Sequence, residues 1–220
     1  MKQKYASSKI YAIVIALALF VLFSLNITYS YFSAQQMVSG SSSMGSIAIG
    51  WVSGSYGVGN DITVNPVDSN GNVLESLSRG QIFYGKASNG TVLTNMYISG
   101  NEYDTYARFW VDAYIAGNTT NYGRYFELQR VDESKVAKEL KTNSTTGETN
   151  YIYFVNSAFN AVDKQTGALI NGLKIVADAP MEILSNSITV TIHLEGVQAT
   201  HNAHQAVFND WKGYLTSWNV

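Results

Sequence analysis

Three histidines near the end of the chain are the residues best suited to metal chemistry. His193, His201 and His204 are the only histidines among the 220 residues, and the last two lie three apart on a predicted helix. Zinc needs about three or four protein ligands, and the chain has neither a cysteine nor the H-E-x-x-H pattern of a zinc protease. We therefore interpret them as exposed histidines beside a helix N-terminus, with His193 on the solvent face of its strand.

Serine and aspartate supply the remaining reactive groups. A serine nucleophile needs a base and an orienting carboxylate, but the serines lie mostly in predicted linkers or turns and no G-x-S-x-G occurs. Oxygen ligands for calcium could come from Asp61, Asp68, Asn70 and Asn72, although such clusters are more often turns. We predict no enzyme, no catalytic residue, no metal and no cofactor.

Beyond the first thirty residues, three triplets match the Asn-x-Ser/Thr acceptor sequence for N-linked glycans. They begin at Asn89, Asn118 and Asn143, each in a predicted loop. Such triplets arise by chance in a chain rich in Ser, Thr and Asn. They are possible glycosylation sites only in a cell that attaches N-linked glycans.

The first thirty residues have the composition of an export signal. The charged part contains three lysines, Lys2, Lys4 and Lys9. An unbroken apolar run at residues 10–25 follows, and then small residues at Thr28 and Ser30. These are the three parts of a signal peptide, which predicts a signal helix at residues 1–30. A retained membrane anchor is the alternative, because about 17 to 25 apolar residues can span a bilayer.

Composition limits the class of the exported protein. Of 14 basic residues, three leave with the leader, so 11 remain against 16 acidic ones, a formal charge of −5. The chain has no Lys/Arg run, which argues against nucleic acid as a partner. About 190 residues are enough for one domain with a sizeable core, which can make disulfides unnecessary.

Alternating apolar and polar residues predict strands through the rest of the chain. The clearest are residues 105–115 and 187–195, and Gly196 predicts a β-bulge after the second. Weaker strands are predicted at residues 47–51, 62–67, 81–84, 92–99, 151–155 and 173–177. Turn signals at residues 69–72 and 78–80 separate several of them. This pattern predicts an all-β, jelly-roll-like antiparallel sandwich.

Two short helices are predicted as insertions, at residues 132–140 and 202–211. In the first, Asp132 can cap the helix, and Val136 and Leu140 lie one turn apart. The strand at residues 105–115 also has a polar-aromatic face, which is either exposed or turned toward a second layer or a neighbouring subunit, since aromatics are enriched at interfaces. Its aromatic side chains are Tyr106, Trp110 and Tyr114.

Several segments resemble the TasA/camelysin group of biofilm matrix fibre proteins. Residues 28–33 read Thr-Tyr-Ser-Tyr-Phe-Ser, similar to the small-aromatic-small-aromatic-Phe junction of that group. Three further segments are similar to its first strand, a turn and the end of its last strand: residues 42–51, 77–81 and 195–199. In the turn, Arg79 and Gln81 replace the Pro and Asp of the family's L-x-P-G-D pattern.

This resemblance implies a fold, an export route and an assembly. The group has a jelly-roll fold, shared by archaeal bundling pilus subunits, and is exported with a SipW-type signal peptidase. A cut between Ser30 and Tyr31 would free a donor-strand segment and linker at residues 31–45, ahead of a jelly-roll domain at residues 46–220. The donor strand would complete the sheet of the next identical subunit in an extracellular filament, and the chain would contact the membrane only before cleavage. Its apolar residues are Tyr31, Phe32, Met37 and Val38.

Two other functions remain open from the sequence. Camelysin has been described as a metalloprotease, so the resemblance also admits a secreted enzyme of that type. The aromatic face of residues 105–115 admits a monomeric surface adhesin or carbohydrate-binding module. The residues themselves favour a structural subunit, because no zinc-protease motif is present.

Overall fold

The protein is an all-β sandwich, as the sequence predicts. The computed structural model describes residues 49–100, 103–159, 165–199 and 203–218. Within these residues the strands pair antiparallel, and the α-helices are two short ones, α1 (Met181–Ser185) and α2 (Ala203–Val207). The sequence correctly predicts the fold class because period-two alternation is strong in the longest strands.

The strands fall into an N-terminal and a C-terminal group. The first are β1 (Gly50–Ser53), β2 (Tyr56–Gly59), β3 (Ile62–Val64), β4 (Ile82–Phe83), β5 (Gly85–Lys86), β6 (Val92–Leu93) and β7 (Tyr97–Ser99). The second are β8 (Thr105–Ile115), β9 (Phe126–Arg130), β10 (Val136–Thr142), β11 (Thr149–Val155), β12 (Ile170–Ile175) and β13 (Ile188–Gln198).

A five-stranded sheet in the order β10-β11-β8-β13-β3 is the frame of the molecule. Its central strands β8 and β13 pair without interruption from Ile188↔Ile115 to Gln198↔Thr105. Because side chains alternate between faces, each strand has an inner and an outer set. The inner set is apolar and fully buried at positions such as Phe109 and Val190.

Shorter strands cover the inner face. They form two three-stranded sheets, β2-β1-β7 and β4-β12-β9, and the pair β5-β6. The main core lies between these strands and the five-stranded sheet, and contains side chains from both, including Trp51 and Phe83. The Trp51 ring meets Phe109 edge-on at 5.0 Å between centroids, so the two layers are joined by aromatic packing.

The predicted helix at residues 132–140 is wrong. A turn occupies residues 132–135, and β10 then pairs with β11 over its whole length, from Val136↔Val155 to Thr142↔Thr149. The helix prediction rests on Val136 and Leu140, which lie four residues apart. Four is also an even number, so a strand places the same two residues on one face.

The predicted bulge at Gly196 is also wrong. Gly196 pairs in register with Ala107, and β13 continues to Gln198. The glycine is explained by close packing instead, because a Cβ added there would lie 2.4 Å from the Cδ1 atom of Ile49. Close approach of another chain segment is the second reason for a glycine within a strand.

Two further elements are shorter than predicted. The strand predicted at residues 92–99 is divided into β6 and β7, and between them Asn95 has a φ of 48°. The helix predicted at residues 202–211 is helical only at Ala203–Val207 in the described residues. A turn, a short irregular segment and a 3-10 helix at Thr216–Trp218 follow it.

Candidate functional site

The C-terminal segment, residues 203–218, covers one end of the outer face of the five-stranded sheet. It forms a second apolar cluster there with side chains of β8, β11 and β13. Trp218 stacks on Tyr106 with centroids 4.6 Å apart, and its Nε1 donates to the carbonyl oxygen of Val155 at 2.9 Å. Tyr106 is only 5% exposed, so at this position the aromatic face packs against a second layer, which is one of the two arrangements the sequence leaves open.

A buried arginine joins the same segment to the sheet. Arg108 is 2% exposed, and its guanidinium donates to both carboxylate oxygens of Asp210, to Glu195 Oε2 and to the carbonyl oxygen of Gly213. Its Cζ lies 4.1 Å from the centroid of the Phe208 ring. A charge this deeply buried is tolerated because it is paired and its donors are satisfied.

Farther along the outer face, an imidazole lies between two carboxylates. His193 Nδ1 is 2.8 Å from Asp61 Oδ1, and its Nε2 is 3.1 Å from Asp112 Oδ2. The ring stacks on Trp110, with centroids 5.0 Å apart. His193 is 24% exposed and paired on both sides, which corrects the expectation of a solvent-facing histidine.

The electrostatics of this group favour the ion pair. Burial lowers the pKa of His193, but the contacts with Asp112 and Asp61 outweigh it, so the pKa lies above its ordinary value. Burial likewise raises the pKa of Asp112, while hydrogen bonds from His193 and Asn121 bring it below its ordinary value. Both shifts favour imidazolium next to carboxylate at neutral pH.

An asparagine extends the chain of contacts to a loop. Asn121 Nδ2 donates to Asp112 Oδ1 at 2.7 Å and to Glu148 Oε1 at 2.6 Å. Its Oδ1 accepts from the backbone N–H groups of Ala113 and Gly123. The result is a continuous polar relay, which we define as Glu148, Asn121, Asp112, His193 and Asp61.

The relay has the composition of an acid–base site but the geometry of a structural connection. Both ring nitrogens of His193 face carboxylates, which leaves neither nitrogen to take a proton from a substrate. Asp61 directly precedes β3, and Asp112 lies in β8. The relay therefore fastens the edge of the five-stranded sheet to its centre.

Beside the relay, a polar cleft of about 530 Å³ opens between two loops and the end of β8. We call it the tyrosine cleft and define it by Tyr114, Asn121, Tyr122, Arg124, Tyr125 and Glu148. Threonines of the two loops complete its walls. The relay and the cleft share Asn121 and Glu148, so the relay holds one wall of the cleft in place.

The structure does not bring the predicted histidine cluster together. His204 is 1% exposed and lies among the rings of Tyr106, Tyr214 and Trp218, whereas His193 belongs to the relay. His201 lies outside the described residues. In the described part of the chain, no group of three or more His, Cys, Asp or Glu side chains is arranged to hold a metal ion.

The sequence predicts an exposed histidine at His204, and this prediction is wrong because the side chain is buried. Neither of its ring nitrogens has a hydrogen-bond partner among the described residues. Burial lowers the pKa of this imidazole, because the charged form loses its hydration.

The oxygen-rich segment at residues 68–72 is a turn, which is the reading the sequence favours. Asp68 accepts from the backbone N–H groups of Asn70 and Asn72, at 2.8 Å and 2.9 Å, and from Asn72 Nδ2 at 2.9 Å. Asp61, the other calcium candidate, faces His193 instead. Its carboxylate is therefore committed to the relay and not to the turn.

All three glycan acceptor asparagines lie in loops and make the same local turn. The side-chain oxygens of Asn89, Asn118 and Asn143 each accept the backbone N–H two residues on. Asn118 differs because its Nδ2, the atom that would carry a glycan, donates to the Tyr122 hydroxyl at 3.1 Å. The geometry thus favours Asn89 and Asn143 over Asn118 as acceptors.

The predicted cleavage site and donor segment lie outside the described residues. The cleavage site is the bond between Ser30 and Tyr31. The apolar residues of the donor segment are Tyr31, Phe32, Met37 and Val38. In the ranges that the structure describes, none of the helices has the length and apolar character to cross a bilayer.

Sequence reasoning missed Arg108, Asp210, Asn121 and Glu148. One signal was available, since an arginine within an aromatic strand face needs a partner when that face is covered. Arg108 and Asp210 lie 102 residues apart in sequence, and Asn121 and Glu148 lie 27 apart, so no recognisable spacing links the partners.

Comparisons with known proteins do not test the resemblance to the TasA/camelysin group. No protein-family model, curated protein or solved structure matches this chain. The likeness to the TasA/camelysin group stays a prediction from the segments described above.

Proposed function

We propose that this protein is an exported structural subunit of an extracellular filament, at the cell surface or in a biofilm matrix. Subunits would join by donor-strand complementation, in which residues 31–38 of one copy add a strand to the next and the rest of residues 31–45 serve as a linker. The proposal is supported by the export-signal composition of residues 1–30, by the family resemblance and by an all-β sandwich with strand edges open to pairing. The edge strand that supports the proposal best is β2.

Two edges of the five-stranded sheet carry features that discourage pairing. Strand β10 has charged residues at Lys138, Glu139 and Lys141. Strand β3 is three residues long and is followed closely by Pro66, which has no N–H to donate. Charges, proline and short length are the usual means of protecting an edge from another chain.

Strand β2 is also short, at four residues, but it has neither a charge nor a proline, and this observation supports the proposal best. It is the outer strand of the sheet β2-β1-β7 and reads Tyr-Gly-Val-Gly over Tyr56–Gly59. It contains no charge and no proline, and Gly57 and Gly59 are exposed while Val58 packs against the core. An edge without charge or proline can accept an extended segment through main-chain hydrogen bonds. We assign β2 as the acceptor.

Assembly by this route would be open-ended. The donor is near one end of the chain and the acceptor is an edge of the folded domain, so the contact is head-to-tail and propagates into a filament. Before cleavage the donor would still be joined to the leader. Signal-peptide removal would then permit assembly, with the signal peptidase as a transient partner.

The acceptor assignment is tested at Gly57. A Cβ added there meets no atom within 4 Å, so substitution should leave the domain folded. Gly57→Lys should suppress polymerisation, because lysine on an edge discourages pairing. Gly57→Ser is the matched control and should polymerise like the parent. Light scattering and electron microscopy measure polymerisation. If the parent and both variants polymerise equally, β2 is not the acceptor.

A further inference from the structure

We propose that the tyrosine cleft is a binding site for a neutral oligosaccharide. The inference does not depend on filament formation. It rests on the volume of the cleft, on the aromatic and polar groups that line it, and on the way the relay fixes one of its walls.

The cleft has the size and the aromatic surface that a sugar requires. Its volume of about 530 Å³ falls within the roughly 300–1,000 Å³ of small-molecule sites. The Tyr114 side chain is 39% exposed, although it belongs to a strand otherwise largely buried. Tyrosine rings present a flat apolar face together with a polar hydroxyl, which suits a ligand with C–H groups on one side and hydroxyls around its rim.

One carboxylate oxygen in the cleft is held and the other is available. Glu148 Oε1 accepts the hydrogen bond from Asn121, while Oε2 has no hydrogen bond in the described part of the chain. All hydrogen-bonding groups of the Asn121 side chain are already used. Asn121 is therefore a positioning residue, and Glu148 is the acceptor offered to a ligand hydroxyl.

Arg124 supplies donors on the same lining. Its side chain is 45% exposed, and its only ion pair among the described residues is a long one, 3.9 Å to Asp178 Oδ2. The guanidinium is oriented by the Tyr125 ring, with Cζ 4.7 Å from the ring centroid. A planar group with several free N–H donors can bridge neighbouring hydroxyls of a sugar.

The balance of charge selects the class of ligand. The lining contains one carboxylate, Glu148, and one guanidinium, Arg124, so it offers no excess charge to an anion or a cation. Threonine hydroxyls and tyrosines make up most of the rest, which disfavours a purely apolar ligand. A neutral polyhydroxylated molecule satisfies both conditions.

Both loops that form the cleft are braced before any ligand arrives. Asn118 and Asn143 close local turns in the two loops, and Asn118 Nδ2 also donates to the Tyr122 hydroxyl. A site held in place in this way loses little conformational entropy on binding.

The test is direct binding to the full 220-residue chain, kept in solution with a zwitterionic, sugar-free detergent. The probes are neutral oligosaccharides of glucose, mannose, galactose and N-acetylglucosamine. Saturation-transfer NMR detects their binding, and calorimetry measures the Kd. At least one should bind, and both Tyr114→Ala and Glu148→Gln should raise its Kd by about tenfold or more. Glu148→Gln preserves the oxygen that accepts from Asn121, so it tests the free oxygen rather than the fold.

Tyr103→Ala is the matched control, because Tyr103 is an exposed tyrosine that does not line the cleft. Its Kd should equal that of the parent. The proposal is overturned if no probe binds, or if the cleft variants and the Tyr103 variant bind alike. Either result would leave the filament proposal untouched, since polymerisation is measured separately.

Discussion

Asp210 holds the buried guanidinium of Arg108 through two hydrogen bonds, of 2.7 Å and 3.0 Å. The pair joins the C-terminal segment to the centre of the five-stranded sheet. Burial raises the pKa of Asp210, but the hydrogen bonds from Arg108 and Lys212 bring it below its ordinary value, so the carboxylate is charged at neutral pH.

The first prediction is that Asp210→Asn destabilises the protein by about 2 kcal/mol, because it removes the doubly bonded counter-charge of a buried arginine and leaves Glu195 as its remaining counter-charge. Urea unfolding at pH 7 measures the change. The control is Glu133→Gln, which removes the surface pair between Arg130 and an acid that is 79% exposed. That loss should be within about 1 kcal/mol. Equal losses in the two variants would contradict the role given to Asp210.

The second prediction concerns His193 and pH. Its folded pKa is raised, so its stabilising effect is fully present below the unfolded value of about 6.5 and is lost as the pH rises through the folded value. The lowered pKa of Asp112 adds stability that is lost when the pH falls below about 4. His193→Gln should therefore cost about 1 kcal/mol near pH 5.5 and less near pH 9.

Chemical unfolding of parent and variant at these two pH values measures the difference. A cost that is the same at both, or larger at pH 9, would contradict the ion-pair assignment. Thr189→Val, on the same outer face of β13 but outside the relay, is the control and should show no such pH dependence.

The third prediction is that His204 gives stability a pH dependence opposite to that of His193. Its folded pKa is lowered, so the unfolded chain binds more protons and stability falls as the pH drops below about 6.5. His204→Phe removes two buried nitrogens that have no hydrogen-bond partner among the described residues. It should raise the free energy of unfolding by about 1 kcal/mol, and by more at pH 5 than at pH 8. His204→Leu guards against overpacking by the larger ring. A parent protein more stable than both variants at pH 5 would refute this.

The fourth prediction tests the close packing at Gly196. Gly196→Ala should cost about 1–3 kcal/mol, because its Cβ would overlap the Ile49 side chain. Adding Ile49→Val, which removes the Cδ1 atom, should recover part of the loss. Gly57→Ala, at a glycine with open space, should be within about 1 kcal/mol of the parent. A double variant no more stable than Gly196→Ala would show that Ile49 is not the obstacle.

Strong alternation made the central strands predictable. Residues 105–115 form β8 with the bounds expected from the sequence, and the inner residues of β13 are buried as expected. The errors arose where one pattern fits two structures. The spacing of Val136 and Leu140 suits a helix and a strand equally. The segment forms a strand because it pairs with β11 over its whole length.

The candidate site was less predictable than the fold. Whether Tyr106 is buried depends on the C-terminal segment folding back over β8, and no local pattern encodes that contact. The relay likewise combines Asp61, Asp112 and His193 from three separate segments, through pairing of β3 with β13 and of β13 with β8. Such juxtapositions follow from sheet order, which the alternation of residues does not specify.

The fifth prediction tests the filament proposal directly, by comparing a chain that begins at Tyr31 with one that begins at Ser39. The measurement is negative-stain electron microscopy of both proteins at equal concentration. The account predicts ordered filaments from the first and folded monomers from the second. A free peptide of residues 31–38 should raise the Tm of those monomers, since it binds only the native state. Normal filaments from the chain that begins at Ser39 would contradict the account.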